Sequence, residues 1–377
     1  MQRSASTVTS GSATSSNRVR QGLDKILTKV GRQLRAWIGA SESDGPEQKL
    51  AALTEVPNLF TLQAIRVAVT LGLPDLVEEG IDSPADLARA TGTNPDALAR
   101  LTRHLIGRGV FTEPSPGHME LSDIGRLLVT SHPEQHAAYF RLDAAPALFD
   151  AVIPQMMYSI RTGQPAWSQV HPEPFWDYVA RSSTVAASFD QDMLRRARVL
   201  GPELVGGYDW EGVSVLVDVG GGNGTLIARL LTSRQGLRGI VVEAAAAVER
   251  VHATLRDAGL LERCDIVAGS FFETLPAGGD VYLLSWVLHD WGDDDAVRIL
   301  ARCREAAGPS GRVLVVEQPL DVVAATELDL RMLLYFGGRE RTRAEYERLA
   351  RLSGFTWMSW TPLPSDSWIL DCRDPSR

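Results

Sequence analysis

Residues at three separated places in this 377-residue chain have the types needed to handle a proton together. His289 stands in "YLLSWVLHDWGDDDAVRIL", between an apolar run and three consecutive aspartates; Glu317 closes the apolar run "VLVVEQPL", and Glu340 lies in "FGGRERT". An imidazole, with an unperturbed pKa of about 6.5, suits a general base that takes a proton from a hydroxyl near neutral pH. Such a base needs a carboxylate on its other nitrogen to fix the tautomer and stabilise the imidazolium, and Glu317 and Glu340 are both candidates. For Glu340 the competing use is a salt bridge with Arg339 or Arg341. Asp290, next to the histidine, is a candidate for the pocket in front of it. No second histidine lies close by, and Cys264, Cys303 and Cys372 form no CxxC pair, so no metal is expected. Asp293, Asp294 and Asp295 precede Ala296, Ile299, Leu300 and Cys303 at helical spacing. They mark a helix N-terminus, where each negative charge is favoured by about 0.3–1 kcal/mol.

A second constellation can hold a cofactor. "VLVDVGGGNGTLIARLL" reads as a buried strand, a glycine turn and an amphipathic helix, the place where an open α/β sheet binds its ligand. Gly220, Gly222 and Gly224 give GxGxG, whereas the dinucleotide fingerprint needs glycine at 225, which is Thr225. Asp218 at the strand end can accept a hydrogen bond from an ammonium group, and Glu243 at the next strand end can hold the two hydroxyls of a ribose. A ligand with an amino acid end and a nucleoside end fits both: S-adenosylmethionine, with S-adenosylhomocysteine as its product. In "AGSFFETLP", Ser270 and Phe271 offer the adenine a hydrogen bond and an apolar contact; core packing is the other use of Phe271 and Phe272. Ser285, where the fourth strand is expected to end, falls on the same rim.

The elements that must position these residues follow from periodicity. From Ser214 onward the β-rich runs "SVLVDVG", "GIVVE", "CDIVAG", "VYLLS" and "RVLVVEQ" alternate with helical patterns, which predicts an α/β fold with a doubly wound parallel sheet. Upstream, two short helices joined at Gly92 start at Ser83-Pro84 and Asn94-Pro95, and a hairpin turns at "EPSPG", together a winged-helix-like pattern. Such a pattern often reads DNA, and Arg100, Arg103 and Arg108 lie on its second helix. With 38 basic against 47 acidic side chains and no wider basic cluster, packing or dimerisation is the expected role instead. Residues 135 to 205 are expected to be mostly helical, and Phe149, Met156 and Trp176 there, with Met332 and Phe336 further on, are candidate walls of an acceptor pocket closed by a partner subunit. The expected division is a disordered tail and linker over 1–48, a mostly helical dimerisation domain over 49–200 and a cofactor-binding domain over 201–377. The Ser- and Arg-rich opening also has the composition of an organellar transit segment, but lysine occurs only at Lys25, Lys29 and Lys49, a usage that suggests a GC-rich bacterial source. No apolar run approaches the roughly 20 residues of a membrane span, so a cytoplasmic protein is expected.

In this order, "VDVGGGNGTL", "GSFFETLP", "VLHDW" and "GGRERT" resemble the small-molecule O-methyltransferases of plants and actinomycetes, and the likeness covers about residues 50 to 372, with "FDQDM" at 189 to 193. The resemblance implies the class I methyltransferase, Rossmann-like sheet with an N-terminal winged-helix dimerisation domain, a homodimer, and S-adenosylmethionine bound by the glycine loop, Asp218 and Glu243. It implies that His289 is the catalytic base, that Glu317 and Glu340 flank it, and that Met193 lies near the methyl donor. The acceptor it implies is a phenolic or other hydroxyl of a bacterial aromatic metabolite; the net charge of −9 argues against a nucleic-acid partner and the lack of a long apolar run against a membrane. Two motifs depart from the pattern: "EAA" replaces the usual "DLP", and "GSFF" replaces "GDFF", which weakens the adenine contact at Ser270. Sibling proteins resembling the anthracycline 10-hydroxylase bind the cofactor without methylating and lack the histidine; a hydroxylase or decarboxylase is therefore the alternative, and the presence of His289 favours methyl transfer.

Overall fold

A computed structural model describes residues 59–133, 136–321 and 325–374. The tail and linker expected over 1–48, and the first residues of the dimerisation domain after them, lie outside the described residues.

Apolar strand residues alternate between the two faces of one seven-stranded sheet, whose strands lie in the order Cys264–Ala268, Arg238–Glu243, Val215–Val219, Val281–Ser285, Arg312–Glu317, Trp368–Arg373, Trp357–Pro362. β3 (Val215–Val219), β4 (Arg238–Glu243), β5 (Cys264–Ala268), β6 (Val281–Ser285) and β7 (Arg312–Glu317) pair in parallel, as the five β-rich runs predict. In β6, Val281 and Leu283 enter the core on one face while Tyr282 and Leu284 enter the core on the other, and all four are fully buried. Period-two alternation with helices covering both faces makes a parallel sheet buried throughout. β8 (Trp357–Pro362) and β9 (Trp368–Arg373) complete the sheet antiparallel beside β7 and were not expected from the sequence. The strand order reverses direction between β3 and β6, and an open α/β sheet has its crevice outside the carboxyl ends at such a switch point. The glycine turn leaves β3 there and the His289 segment leaves β6.

Before the sheet, helices Pro84–Thr91 and Pro95–Gly107 begin as the sequence predicts, with the Ser83 and Asn94 side chains accepting the Asp86 and Ala97 N–H groups. Each such cap is worth about 1 kcal/mol. β1 (Phe111–Ser115) and β2 (His118–Leu121) form the hairpin wing, packed with Leu73, Leu87 and Leu105 into one core. On the second helix, Arg100 pairs with Asp96 one turn away.

Helix Ser183–Gly207 joins the two regions, running across the expected boundary at residue 200 without a break. Its 25 residues span about 37 Å. Val185 and Ala186 near its start pack with the helical region's aromatic cluster, and Leu200 and Leu204 near its end pack under the sheet. Among the described residues, no helix is long and apolar enough to cross a membrane.

Candidate active site

Beyond β6 the chain turns sharply. Trp286 has a φ of 55°, a left-handed backbone rare for a bulky residue and a mark of local strain. One short helical turn, Leu288–Asp290, then presents His289, which is only 5% exposed. Its Nδ1 lies 2.7 Å from Glu340 Oε1 and 3.7 Å from Glu317 Oε2, while Nε2 lies 3.4 Å from Asp290 Oδ1. Both glutamates predicted to flank the base are therefore beside it, fully buried. The salt bridges that competed for Glu340 are not formed: Arg341 pairs with Asp293 and Arg339 with Glu345. Glu317 Oε1 also accepts the Leu288 N–H at 2.9 Å, which anchors the turn to the end of β7. Asp293, Asp294 and Asp295 occupy the first turn of helix Asp293–Ala307, as expected.

A carboxylate at Nδ1 holds the proton on that nitrogen, so the neutral imidazole carries its lone pair on Nε2. Burial works against the charged ring, but Glu317, Asp290 and Glu340 outweigh it and push the His289 pKa up to about 9. Burial raises Glu317, and it raises Asp290 to about 6 against the pull of His289 and Arg196. His289, Glu317 and Glu340 each offer one ligand atom within 4.8 Å of the others, a spacing that a metal ion would also accept. The short hydrogen bond from Nδ1 to Glu340 engages two of the same residues.

Across the crevice, Gly220, Gly222 and Gly224 have φ values of 73°, 61° and 78°, so the turn needs residues without a Cβ. A Cβ on Gly221 would lie 2.7 Å from Asp218 Oδ2, so that position is also closed to larger residues. Gly222 opens onto space, with nothing within 4 Å of where its Cβ would be, and its N–H donates to Glu243 Oε2 at 2.9 Å. Asp218 is 2% exposed, and its Oδ2 has no hydrogen-bond partner. Burial, with Glu243 nearby, raises its carboxyl to about 7. A buried acceptor without a partner, at the foot of an open glycine cradle, fits a ligand that brings a cation.

The remaining sequence candidates fall into three groups. Phe271 packs beside Gly220 and against Trp291, and the Ser270 hydroxyl is used locally, accepting the Phe272 N–H at 3.2 Å. Ser285 ends β6, and Met193 is half-buried on the long helix. Phe149, Met156 and Phe336 join one aromatic cluster, Met332 is buried one helical turn before Phe336, and Trp176, 39% exposed, stacks on Phe336 at 5.7 Å. Sequence reasoning missed Arg341, Asp329 and Gly338. Asp329 Oδ1 accepts the Glu340 N–H at 2.9 Å, and a Cβ on Gly338 would lie 2.1 Å from the His289 carbonyl oxygen.

Sequence profiles of the O-methyltransferase domain and the O-methyltransferase dimerisation domain match residues 155–356 and 58–131. The chain belongs to the O-methyltransferase family. This methyltransferase is similar to the 2,7-dihydroxy-5-methyl-1-naphthoate 7-O-methyltransferase of Streptomyces carzinostaticus, with 39% identity over 82% of this chain and 94% of that one. It is also 39% identical to the aclacinomycin 10-hydroxylase of Streptomyces purpurascens, over 85% of this chain and 89% of that one. A solved O-methyltransferase of neocarzinostatin biosynthesis, in complex with S-adenosylmethionine and 2-hydroxy-5-methyl naphthoic acid, superposes with a TM-score of 0.79 at 37% identity, covering 88% of this chain and 99% of that one.

The methyl donor of this methyltransferase is S-adenosylmethionine. If Asp218 meets the ammonium end of this donor, as the sequence leads one to expect, binding carries a pH dependence whose sign is fixed. A carboxyl raised to about 7 is largely neutral at pH 6 and ionised at pH 8, and the ionised form attracts an ammonium. S-adenosylhomocysteine affinity is expected to rise about tenfold between pH 6 and pH 8, as the ionised fraction rises. Calorimetric titration of the protein and of Asp218→Asn checks this, and a pH dependence equally steep in the variant would show that another group is responsible.

Proposed function

We propose that this methyltransferase transfers its methyl group to a phenolic or other hydroxyl of an aromatic bacterial secondary metabolite, with His289 as general base. The observation that carries the reading is the 2.7 Å contact of buried His289 Nδ1 with Glu340, which leaves Nε2 as the nitrogen able to take a proton. When bound, S-adenosylmethionine supplies a methyl group on a sulfonium sulfur. Asp218 holds its ammonium end and Glu243 its ribose, with Met193, Ser270, Phe271 and Ser285 around the rest.

His289 Nε2 accepts the hydroxyl proton, and the imidazolium so formed rests on Glu340 and Glu317. A base with a pKa of about 9 is closely matched to a phenol, whose pKa is about 10, so the transfer runs over little free-energy difference. Trp176 and Phe336, stacked within 14° of parallel, offer flat walls to a planar acceptor. The naphthoate named for the Streptomyces carzinostaticus relative supports the acceptor class. Two copies would associate through residues 58–131, where Phe60 and Ile124 are 85% and 59% exposed.

The test is product mass after incubation with methyl-labelled S-adenosylmethionine and a panel of polycyclic phenols and hydroxyquinones. One labelled methyl per product is expected. Gain of oxygen or loss of carbon dioxide without label would move the protein to a hydroxylase or decarboxylase role, the reading that its likeness to the aclacinomycin hydroxylase favours.

A further inference from the structure

His289 and Glu340 are 51 residues apart, on a turn after β6 and on a loop after helix Ala325–Tyr335. Two loops hold a 2.7 Å contact only if something fixes one to the other. Arg341 joins them. It is fully buried, and its planar guanidinium is spread over four acceptors. Nη1 donates to the Leu288 carbonyl at 3.0 Å and the Arg339 carbonyl at 3.3 Å, Nη2 to the Trp291 carbonyl at 2.7 Å, and Nε to Asp293 Oδ1 at 2.9 Å. The Leu288 and Trp291 carbonyls bracket His289 and Asp290, and the Arg339 carbonyl immediately precedes Glu340. The Arg339 N–H adds a return strut to the His289 carbonyl at 2.8 Å.

We propose that Arg341 is a positioning residue for the methyl transfer: it locks the turn carrying His289 to the loop carrying Glu340 and so sets the hydrogen bond that orients the base. The inference rests on His289 acting as the base. Arg341 acts through the frame: no acceptor it contacts is a side-chain atom of His289, Glu317 or Glu340. The fork geometry is essential, because a lysine ammonium is a compact point charge that cannot reach carbonyls in three directions from one plane. Without the fork, the two loops are free to drift, and Glu340 supports the imidazolium less well.

The test is a double-mutant cycle of Arg341→Lys with Glu340→Gln, read as kcat, pH profile and S-adenosylhomocysteine affinity. Arg341→Lys is expected to lower kcat by at least about tenfold, as small misplacements of reacting groups do. It should leave S-adenosylhomocysteine affinity unchanged and move the limb of the kcat profile to lower pH. In the Glu340→Gln background the same substitution is expected to cost less than about twofold, because residues that act through one contact are not additive. Equal losses in both backgrounds, or an unmoved limb, would overturn the proposal; a merely structural role lowers the folded fraction and scales every pH alike. If Arg341→Lys does not fold, Asp293→Asn serves, since it weakens the hold on Nε at a site 32% exposed. A shift of the limb in the same direction supports the proposal, and an unmoved limb overturns it. Failure of the underlying reading shows separately, as unchanged turnover in His289→Ala.

Discussion

His289→Ala is expected to lose about a thousandfold in kcat, within the range that a positioned general base contributes, while S-adenosylhomocysteine binds as before. The side chain meets Glu340, Glu317, Asp290 and the edge of Trp286, and none of these belongs to the glycine cradle, so the cofactor's hold is not disturbed. Removing the ring leaves buried carboxylates without their cation, which destabilises the protein, so His289→Gln, which keeps a donor for Glu340, is the companion variant. The pH dependence has a definite sign. A base works in its deprotonated form, and the neighbouring carboxylates raise His289 to about 9 against the effect of burial. In the unaltered protein kcat/KM therefore climbs with pH through a limb near 9, and in both variants that limb is absent. Initial rates from pH 6 to 10 with calorimetric binding measure both parts, and turnover within threefold of the unaltered protein would remove His289 from the chemistry.

Gly338→Ala is the second large effect. The added Cβ would lie 2.1 Å from the His289 carbonyl oxygen and 2.4 Å from the Asp290 carbonyl carbon. Both are backbone atoms, so no side-chain rotation relieves the overlap. The His289 oxygen also accepts the Arg339 N–H, so the overlap is relieved only by pushing the His289 turn and the Glu340 loop apart. A displacement of about 1 Å costs about a hundredfold in rate, and kcat of the folded variant is expected to fall by that much with cofactor affinity retained. Gly292→Ala is the control. It sits three residues beyond His289 with a φ of −64°, and nothing lies within 4 Å of its Cβ position. Equal rates for the two variants would mean that the close approach at Gly338 does not set the site.

The sequence and the folded chain agree wherever a local pattern carries the information. The five parallel strands are legible because a buried parallel strand is a short, mostly apolar run; Asp218, Gly220 and Glu243 stand at the ends of such runs and His289 a short turn beyond one. β8 and β9 lack that signature: "WMSWTP" mixes Trp with two polar residues and a proline, and "WILDCR" carries two charges. Their pairing with β7 is a tertiary fact. Arg341 was illegible for a similar reason. In "GGRERTR" the sequence offers Arg341 only as an ion-pair partner for Glu340, and only the fold shows that this middle arginine is fully buried while Arg339 and Arg343 are not. Glu340 sat between two readings, an ion pair along the chain or a partner for His289, and the crossing of two loops decided between them.

Helix Ser183–Gly207 has a practical consequence for anyone building chimaeras of such enzymes. The aromatic cluster draws residues from both sides of it, with Phe149 and Phe175 from one stretch of chain and Tyr335 from another, stacked on Phe149 at 4.4 Å. A crossover placed at residue 200 would cut inside the helix and separate one end's packing partners from the other's. On the proposal that this cluster walls the acceptor pocket, acceptor preference is not a removable cassette. A graft meant to move the whole cluster would have to exchange the 145–181 stretch, the front of the long helix, and helix Ala325–Tyr335 with Phe336, as one unit.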